Sequence, residues 1–222
     1  MGAGRRRPAR DSVTVWHPRN DDGGKPVLIK HPSTPTPPAS WGDAGAMAIF
    51  TPDCPVPDQV NGIAMTPWNP PGAVAGWEAL AGDMNFTEPP FLCPAGLKPA
   101  AGAVVLEPDG RIWLVEPTNR FGGYRYSVPK GRCDNRSLKA TALVEVFEES
   151  GLQIKLNSFL IDVPRSLTFT RYYFGHRIGG RPADMGWESQ GAVLVPLAHL
   201  PALLNGPFDV PLVKAIAERL GR

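Results

Sequence analysis

Proline divides the chain into two unlike halves: residues 1–99 contain 17 of the 26 prolines, and residues 100–222 contain the other nine. Proline fixes φ and has no backbone N–H, so a segment rich in it forms neither long helices nor central strands. Regular secondary structure is therefore expected mainly in the second half. With 42% hydrophobic and 20% charged residues, the 222-residue chain can still bury a core.

We predict that residues 1–45 form a flexible, proline-rich arm with two strand-like pieces, Ser12–Trp16 and Pro26–Ile29. Residues 46–98 are loop-rich, with a weak helical pattern only over Gly76–Ala81. This segment contains more aromatic residues than a disordered linker usually does. We therefore expect it to pack on the core, where it either rims a substrate cleft or forms a homodimer contact. The aromatic residues concerned are Trp68, Trp77, Phe86 and Phe91.

Charge, hydropathy and cysteine content exclude several classes of protein. A net charge of +2 argues against a nucleic-acid-binding protein, and no apolar run approaches the ~20 residues that span a bilayer. The three cysteines are widely spaced without a C-x-x-C pair, which argues against a disulfide scaffold and a zinc site. These features favour a reducing, cytoplasmic location. The sequence also lacks a P-loop, a G-x-S-x-G and an H-E-x-x-H motif.

Residues 99–222 show an alternation of strand and helix patterns. The predicted strands are Ala101–Leu106, Arg111–Val115, Tyr124–Val128, Gln153–Val163, Thr168–Arg177 and Ala192–Pro196, and the predicted helices are Ser137–Ser150 and Val210–Leu220. A Gly179-Gly180 turn is expected after the fifth strand, and Gly151 is expected to end the first helix. Strands before, between and after two helices predict an α/β (α+β) fold, a mixed sheet with helices on its faces.

The clearest chemical signal is an acidic helix face. Glu145, Glu148 and Glu149 follow the i, i+3, i+4 spacing, which places three carboxylates on one side of a helix. A hard divalent cation such as Mg²⁺ offsets their repulsion and bridges to phosphates. Lys130, just before the helix, is placed to neutralise phosphate charge. A solvent-facing helix that is merely acidic is the alternative.

These residues resemble the signature of the Nudix hydrolases, which is a glycine, five residues, a glutamate, seven residues, then Arg-Glu-apolar-x-Glu-Glu-x-Gly-apolar. Residues 144–152 are Val-Glu-Val-Phe-Glu-Glu-Ser-Gly-Leu, and Gly131 supplies the opening glycine inside Pro129-Lys130-Gly131. The resemblance implies a Nudix-type mixed sheet sandwiched between helices over residues 99–222. The proline- and tryptophan-rich residues before it are then an N-terminal extension.

The resemblance implies a metal-dependent hydrolase that cleaves a diphosphate linkage in a nucleoside diphosphate or polyphosphate derivative. Glu145, Glu148 and Glu149 would be the ligands of Mg²⁺, with Mn²⁺ as a substitute, and Glu148, Glu149 or Glu188 would be the base. The Pro-Lys-Gly lead-in favours dinucleoside polyphosphates or inositol diphosphates over ADP-ribose as substrates.

Two departures from the signature leave an alternative function open. The loop after Gly131 is one residue short, and Arg136 stands where the family has its first glutamate. Val144 replaces the arginine that usually orients the catalytic glutamates in this family. The alternative is therefore a Nudix-fold sensor that binds a nucleotide and turns it over weakly or not at all.

Further candidate site residues lie outside the signature. Glu188 precedes a predicted strand, where many Nudix enzymes have a loop acid that completes the metal site or acts as base; an ordinary exposed glutamate is the alternative. Arg125 and Arg171 are candidates for phosphate contacts, and Tyr173 for stacking on a base. Cross-strand pairs in the sheet are the alternative for these three.

Overall fold

The computed structural model describes residues 14–221. Residues 1–13 and 222, and with them the start of the predicted arm and of the Ser12–Trp16 strand, lie outside the described residues. The strands are β1 (Val15–Trp16), β2 (Leu28–Ile29), β3 (Ala48–Phe50), β4 (Gln59–Val60), β5 (Ile63–Ala64), β6 (Lys98–Leu106), β7 (Ile112–Pro117), β8 (Lys130–Arg132), β9 (Leu152–Pro164), β10 (Thr168–Gly180) and β11 (Ser189–Val195). The α-helices are α1 (Val74–Gly82), α2 (Leu138–Ser150), α3 (Leu200–Leu203) and α4 (Val210–Arg219), and short 3₁₀ turns cover Pro38–Ser40, Thr118–Gly123, Pro182–Asp184 and Leu197–His199.

Seven strands form the central sheet in the order β3-β11-β7-β6-β10-β9, with β8 paired to β6. The β6–β10 pair is parallel and the other pairs are antiparallel. Since β10 takes one edge of β6, β7 and β8 share the other edge. β7 pairs with Val105–Leu106, and β8 pairs with Ala100–Gly102. The loop between β7 and β8 therefore leaves the sheet at this division.

Each face of the sheet is covered by helices. Ala103 and Val105 of β6 face one core, which α2 and α1 cover, whereas Val104 faces the opposite core with Leu212 and Ile216 of α4. This alternation is the period-two pattern of a strand that is buried on both faces. The predicted fold class, a mixed sheet between helices, is confirmed.

The N-terminal half contributes side chains to the core beside α2. Phe50 of β3, Trp77 of α1 and Met84 are buried there, and β3 pairs with β11 at an edge of the sheet. Residues 14–45 also make contacts: the His17 ring lies 3.2 Å from the Ser189 carbonyl oxygen, to which Nε2 donates. The division of the chain into an arm, a packing segment and a Nudix-like domain stays a prediction.

Two local predictions were wrong. Tyr124–Val128 is not a strand: it meets β7 only through a bridge between Ser127 and Val115, and the pairing with β6 begins at Lys130. Gly179 and Gly180 do not form a turn, because β10 continues through both and pairs them with Gln153 and Leu152 of β9. Among the described residues, no helix is long and apolar enough to cross a membrane.

Candidate active site

Helix α2 positions the three predicted glutamates. Its start is fixed by Ser137, whose hydroxyl accepts a hydrogen bond from the Ala140 amide (3.2 Å), and its end by Gly151, which adopts φ +69°. A left-handed residue ends a helix best as glycine, since it has no Cβ. Ala140, Leu143 and Val146 pack into the core. The opposite side of α2 is thereby held towards the loops that follow β7 and β10.

Three carboxylates meet at this side of α2. Oxygen atoms of Glu145, Glu149 and Glu188 all lie within 4.8 Å of one another, and these three residues are hereafter the acidic cluster. Glu145 is buried, Glu149 is half-buried and Glu188 is exposed. Glu148, which the sequence placed among the metal ligands, is exposed and is not one of these three. Glu188, the predicted loop acid, thus joins Glu145 and Glu149 in this group, and the assignment of Glu148 as a metal ligand stays a prediction.

Backbone hydrogen bonds fix Glu188 against α2. The Thr118 amide donates to the Glu188 carbonyl oxygen (2.8 Å), and the Thr118 hydroxyl donates to the Trp187 carbonyl oxygen (2.7 Å). The Gly186 amide donates to the carbonyl oxygen of Glu148 (2.6 Å). The loop before β11 is therefore tied both to β7 and to the end of α2, which brings Glu188 to the helix.

Strand β8 forms the floor of the site. A Cβ on Gly131 would lie 2.3 Å from a carboxylate oxygen of Glu145, so only glycine allows this close approach. The Lys130 amide donates to a Glu149 carboxylate oxygen (3.1 Å), and Lys130 Nζ donates to the Ser127 hydroxyl (3.0 Å). Lys130, a predicted phosphate-binding residue, therefore lies beside the acidic cluster.

Burial and mutual repulsion raise the pKa values of the cluster. Burial first, and then the charges of Glu149, Glu148 and Glu188, raise the pKa of Glu145 to about 9. Burial raises the pKa of Glu149 to about 7, although the charge of Lys130 lowers it. Desolvation also raises the pKa values of Glu148 and Glu188. A cluster that resists ionisation in this way is stabilised by a divalent cation, whose charge offsets the repulsion.

The two departures from the signature meet at this site. Val144 is buried in the core at 1% exposure and does not face the glutamates. Arg136, by contrast, places Nη2 3.9 Å from Glu145 Oε1. A positive charge therefore reaches the acidic cluster from the loop before α2 and not from the helix itself.

The two other predicted substrate-binding arginines have different surroundings. Arg125 is exposed and lines a cleft beside β7. The surroundings of Arg171 favour the alternative of a cross-strand pair: it is 1% exposed, and it pairs with both carboxylate oxygens of Asp162 on β9 (2.8 and 2.7 Å) and with Glu88 (3.0 Å). Its donors are used inside the protein, so it is not free to bind a phosphate. Tyr173 is also buried and donates to Glu88 (2.8 Å).

Sequence reasoning missed a buried charged group next to Lys130. Arg165 pairs with Asp209, and its Nε donates to the Tyr172 hydroxyl (3.1 Å). Burial lowers the pKa of Lys130, and the positive charge of Arg165 lowers it further. Arg165 lies in the β9–β10 turn and Asp209 precedes α4, and no periodic pattern links two such positions.

A family model described as NUDIX domain matches residues 96–215. Three solved structures similar to this chain illustrate the range of matches. An ADP-ribose pyrophosphatase from Streptococcus suis is 23% identical, with 56% of this chain and 92% of that chain covered and a TM-score of 0.46. A NUDIX hydrolase from Nitrosomonas europaea is 18% identical (58% and 74% covered, TM-score 0.48). An Ap4A hydrolase from C. elegans is 13% identical (55% and 96% covered, TM-score 0.46). Among curated proteins, none matches the chain significantly.

Proposed function

Because this chain belongs to the Nudix family of pyrophosphate hydrolases, we propose that it cleaves a phosphoanhydride bond in a nucleoside polyphosphate derivative with the help of a divalent cation. The observation that carries the proposal is the acidic cluster, in which three carboxylates lie within 4.8 Å of one another beside Lys130. Carboxylate oxygens are the donors that Mg²⁺ and Mn²⁺ prefer.

The donor set fits such a cation. Glu145, Glu149 and Glu188 would hold it, because their oxygens converge. Burial first, and then neighbouring negative charges, raise their pKa values, and a cation relieves both effects. A divalent cation at this place supplies charge stabilisation for the phosphoanhydride and lowers the pKa of a nearby water. We keep Mg²⁺ as the expected ion and Mn²⁺ as its substitute.

The chain's own residues would supply binding and proton transfer. Lys130 Nζ, held by the Ser127 hydroxyl, would neutralise a phosphate oxygen. Glu148 lies outside the acidic cluster and is exposed, so it is the glutamate left free to accept a proton from the attacking water. Burial raises the pKa of Glu148 from its ordinary value towards the operating pH, and a general base works best when its pKa lies near that pH. Glu149 and Glu188 are the alternative bases if either leaves the cation.

The test is hydrolysis of a substrate panel with Mg²⁺ and with Mn²⁺, the wild type beside Glu149→Gln. The panel contains ADP-ribose, diadenosine polyphosphates, nucleoside triphosphates, nucleotide sugars and inositol diphosphates. We expect turnover that requires metal and falls at least ~100-fold in the variant, since one transition-state ligand is lost. Glu218→Gln, on the exposed side of α4, is the control for loss of one carboxylate.

If the folded wild type hydrolyses no substrate of the panel, the proposed hydrolase activity is contradicted. If Mn²⁺ and a nucleotide then bind in calorimetry, the alternative of a nucleotide sensor replaces it. Hydrolysis that persists unchanged in Glu149→Gln would instead remove the acidic cluster from the mechanism.

A further inference from the structure

A polar cleft, lined by none of the three residues of the acidic cluster, is partly built by the N-terminal extension. Its volume is about 360 Å³, and its walls are residues 31–34 on one side and the segment from Glu116 to Arg125 on the other. The titratable groups that line it are His31, Glu116, Arg120 and Arg125. Nothing in the proposed hydrolysis at the acidic cluster uses these groups.

The two arginines of the cleft have no ion-pair partner among the described residues. Among residues 14–221, neither Arg120 nor Arg125 makes an ion pair with a carboxylate. Glu116 is the carboxylate of the cleft; it is 6% exposed and accepts a hydrogen bond from the Ser33 hydroxyl. The Arg125 guanidinium lies over the Tyr126 ring, 5.2 Å from its centre. Two guanidinium groups thus line the cleft without a carboxylate partner, and guanidinium is the side chain that best matches phosphate oxygens.

The backbone that carries Arg120 is held in an unfavourable conformation. Asn119 and Arg120 have φ values of +55° and +57°, a region that residues other than glycine seldom adopt. Three hydrogen bonds of Asn119 maintain it: its amide donates to Gln190 Oε1 (2.9 Å), its Nδ2 donates to the Leu28 carbonyl oxygen (2.7 Å), and its Oδ1 accepts from the Lys30 amide (2.7 Å). Both the N-terminal extension and β11 thus fix the backbone from which the Arg120 side chain projects.

The cleft borders the acidic cluster along two paths. Gln190, in its wall, follows Glu188 by two residues, which limits their Cα separation to about 7 Å. On the other side, Arg125 precedes Ser127 by two residues, and the Ser127 hydroxyl accepts from Lys130 Nζ (3.0 Å). The wall of the cleft is therefore joined to the acidic cluster by short stretches of chain, which is the placement that linked phosphates extending from the cluster require.

We propose that this cleft binds the distal phosphate groups of a substrate with three or more linked phosphates. The proposal rests on the proposed function and adds the substrate class to it. Arg120 and Arg125 bind the phosphate oxygens, and residues 31–34 close the opposite wall. The N-terminal extension thereby takes part in substrate selection: a diphosphate whose second end is a neutral sugar leaves both arginines without a partner, which disfavours it.

The test compares wild type with the double variant Arg120→Gln/Arg125→Gln on diadenosine tetraphosphate and on ADP-ribose. We expect the KM for the tetraphosphate to rise roughly tenfold or more, since two charge-assisted contacts are lost, while kcat changes less than about twofold. The KM for ADP-ribose should change less than about twofold. Lys214→Gln/Arg219→Gln on α4 removes the same charge at residues that do not line the cleft and should change neither KM. If the double glutamine variant is unstable, Arg120→Lys/Arg125→Lys takes its place. It retains both charges and should therefore retain part of the affinity for the tetraphosphate.

A second measurement separates this proposal from the hydrolase itself. Inorganic tripolyphosphate is titrated calorimetrically into each variant in EDTA, where no hydrolysis occurs. Weaker binding by roughly tenfold or more in the glutamine variant alone supports the cleft, even if the wild type hydrolyses nothing. Equal binding in all variants, or an equal rise of both KM values, would overturn the proposal while leaving the hydrolase in place.

Discussion

Arg136 Nη2 lies 3.9 Å from Glu145 Oε1, although these residues occupy different segments, the loop before α2 and the helix itself. Val144, the neighbour of Glu145 in the chain, is buried at 1% exposure in the core. In the Nudix signature an arginine stands at that position. Here the guanidinium group of Arg136 approaches Glu145 from the loop, so the Glu145 carboxylate has a positive neighbour even though Val144 is uncharged.

We therefore expect Arg136 to support cation binding through Glu145. Arg136→Ala should weaken Mn²⁺ binding roughly tenfold, because it removes the positive charge that helps Glu145 to ionise and keeps its carboxylate oriented. Arg136→Lys should recover part of that loss. Calorimetric titration with Mn²⁺ measures the dissociation constant of each variant. Arg132→Ala is the matched control, since Arg132 lies on β8 with 66% of its side chain exposed. An equal loss of Mn²⁺ affinity in both alanine variants would show that only the net positive charge near the site matters, and not the position of Arg136.

The acidic helix was predictable because its determinants are local. The Ser137 cap, the spacing of Glu145, Glu148 and Glu149, and the left-handed Gly151 all follow from adjacent residues. Glu188 was a candidate only through the family resemblance, because the hydrogen bonds of Thr118 and Gly186 that bring it to the helix involve residues distant in sequence. Strand alternation likewise assigned Arg171 to a face of the sheet, but could not show that Asp162 and Glu88 neutralise it there.

The acidic cluster should make the metal-free protein less stable as pH rises. The pKa values of Glu145 and Glu149 in the folded state, about 9 and about 7, lie above the ordinary value of 4.5. A carboxyl group with a raised pKa in the folded state contributes stability that is present below about pH 4.5 and lost as pH rises through those values. In EDTA, the Tm should therefore fall between about pH 5 and about pH 9, and Mg²⁺ should reverse the fall.

Glu145→Gln isolates this effect, because it removes the titration with the largest shift. Its Tm in EDTA should exceed that of the wild type at alkaline pH by several degrees, at ~2–4 °C for each kcal/mol, and should depend less on pH. Glu218→Gln, on the exposed side of α4, should follow the wild type. Parallel pH curves for wild type and Glu145→Gln would contradict the explanation.

Arg171 should prove structural and not substrate-binding. Arg171→Leu leaves Asp162 without its ion-pair partner, whereas Glu88 keeps Lys139 and Tyr173. Breaking a buried ion pair from one side costs about 3–5 kcal/mol, and the partial exposure of both carboxylates places the expected loss at or below the lower end. The Tm should fall, whereas the KM of the remaining folded enzyme should stay within about twofold of wild type. Thermal denaturation and steady-state kinetics on the same preparation provide the Tm and the KM. A raised KM with unchanged stability would restore the predicted role of Arg171 in substrate binding.

The N-terminal extension should be needed for the stability of the Nudix domain. Trp77 is 7% exposed, and its ring centre lies 5.5 Å from that of Trp68 and 6.3 Å from that of Phe147 on α2. Trp77→Ala should cost about 3–5 kcal/mol, since it leaves a large cavity against α2. Trp16→Ala is the matched control, because Trp16 is 53% exposed and its loss should cost less than ~0.5 kcal/mol.

Deletion of residues 1–98 extends the same argument from one side chain to the whole segment. The deletion removes β3, which pairs with β11, and uncovers the Phe147 side of α2, where Trp68 and Trp77 pack. An unpaired strand edge and an exposed apolar helix face both favour aggregation. We expect the truncated protein to bind a hydrophobic dye and to melt at a lower temperature than Trp77→Ala. Calorimetry and light scattering test this, and a truncated protein with the Tm and kinetics of the full chain would show that the domain is self-sufficient.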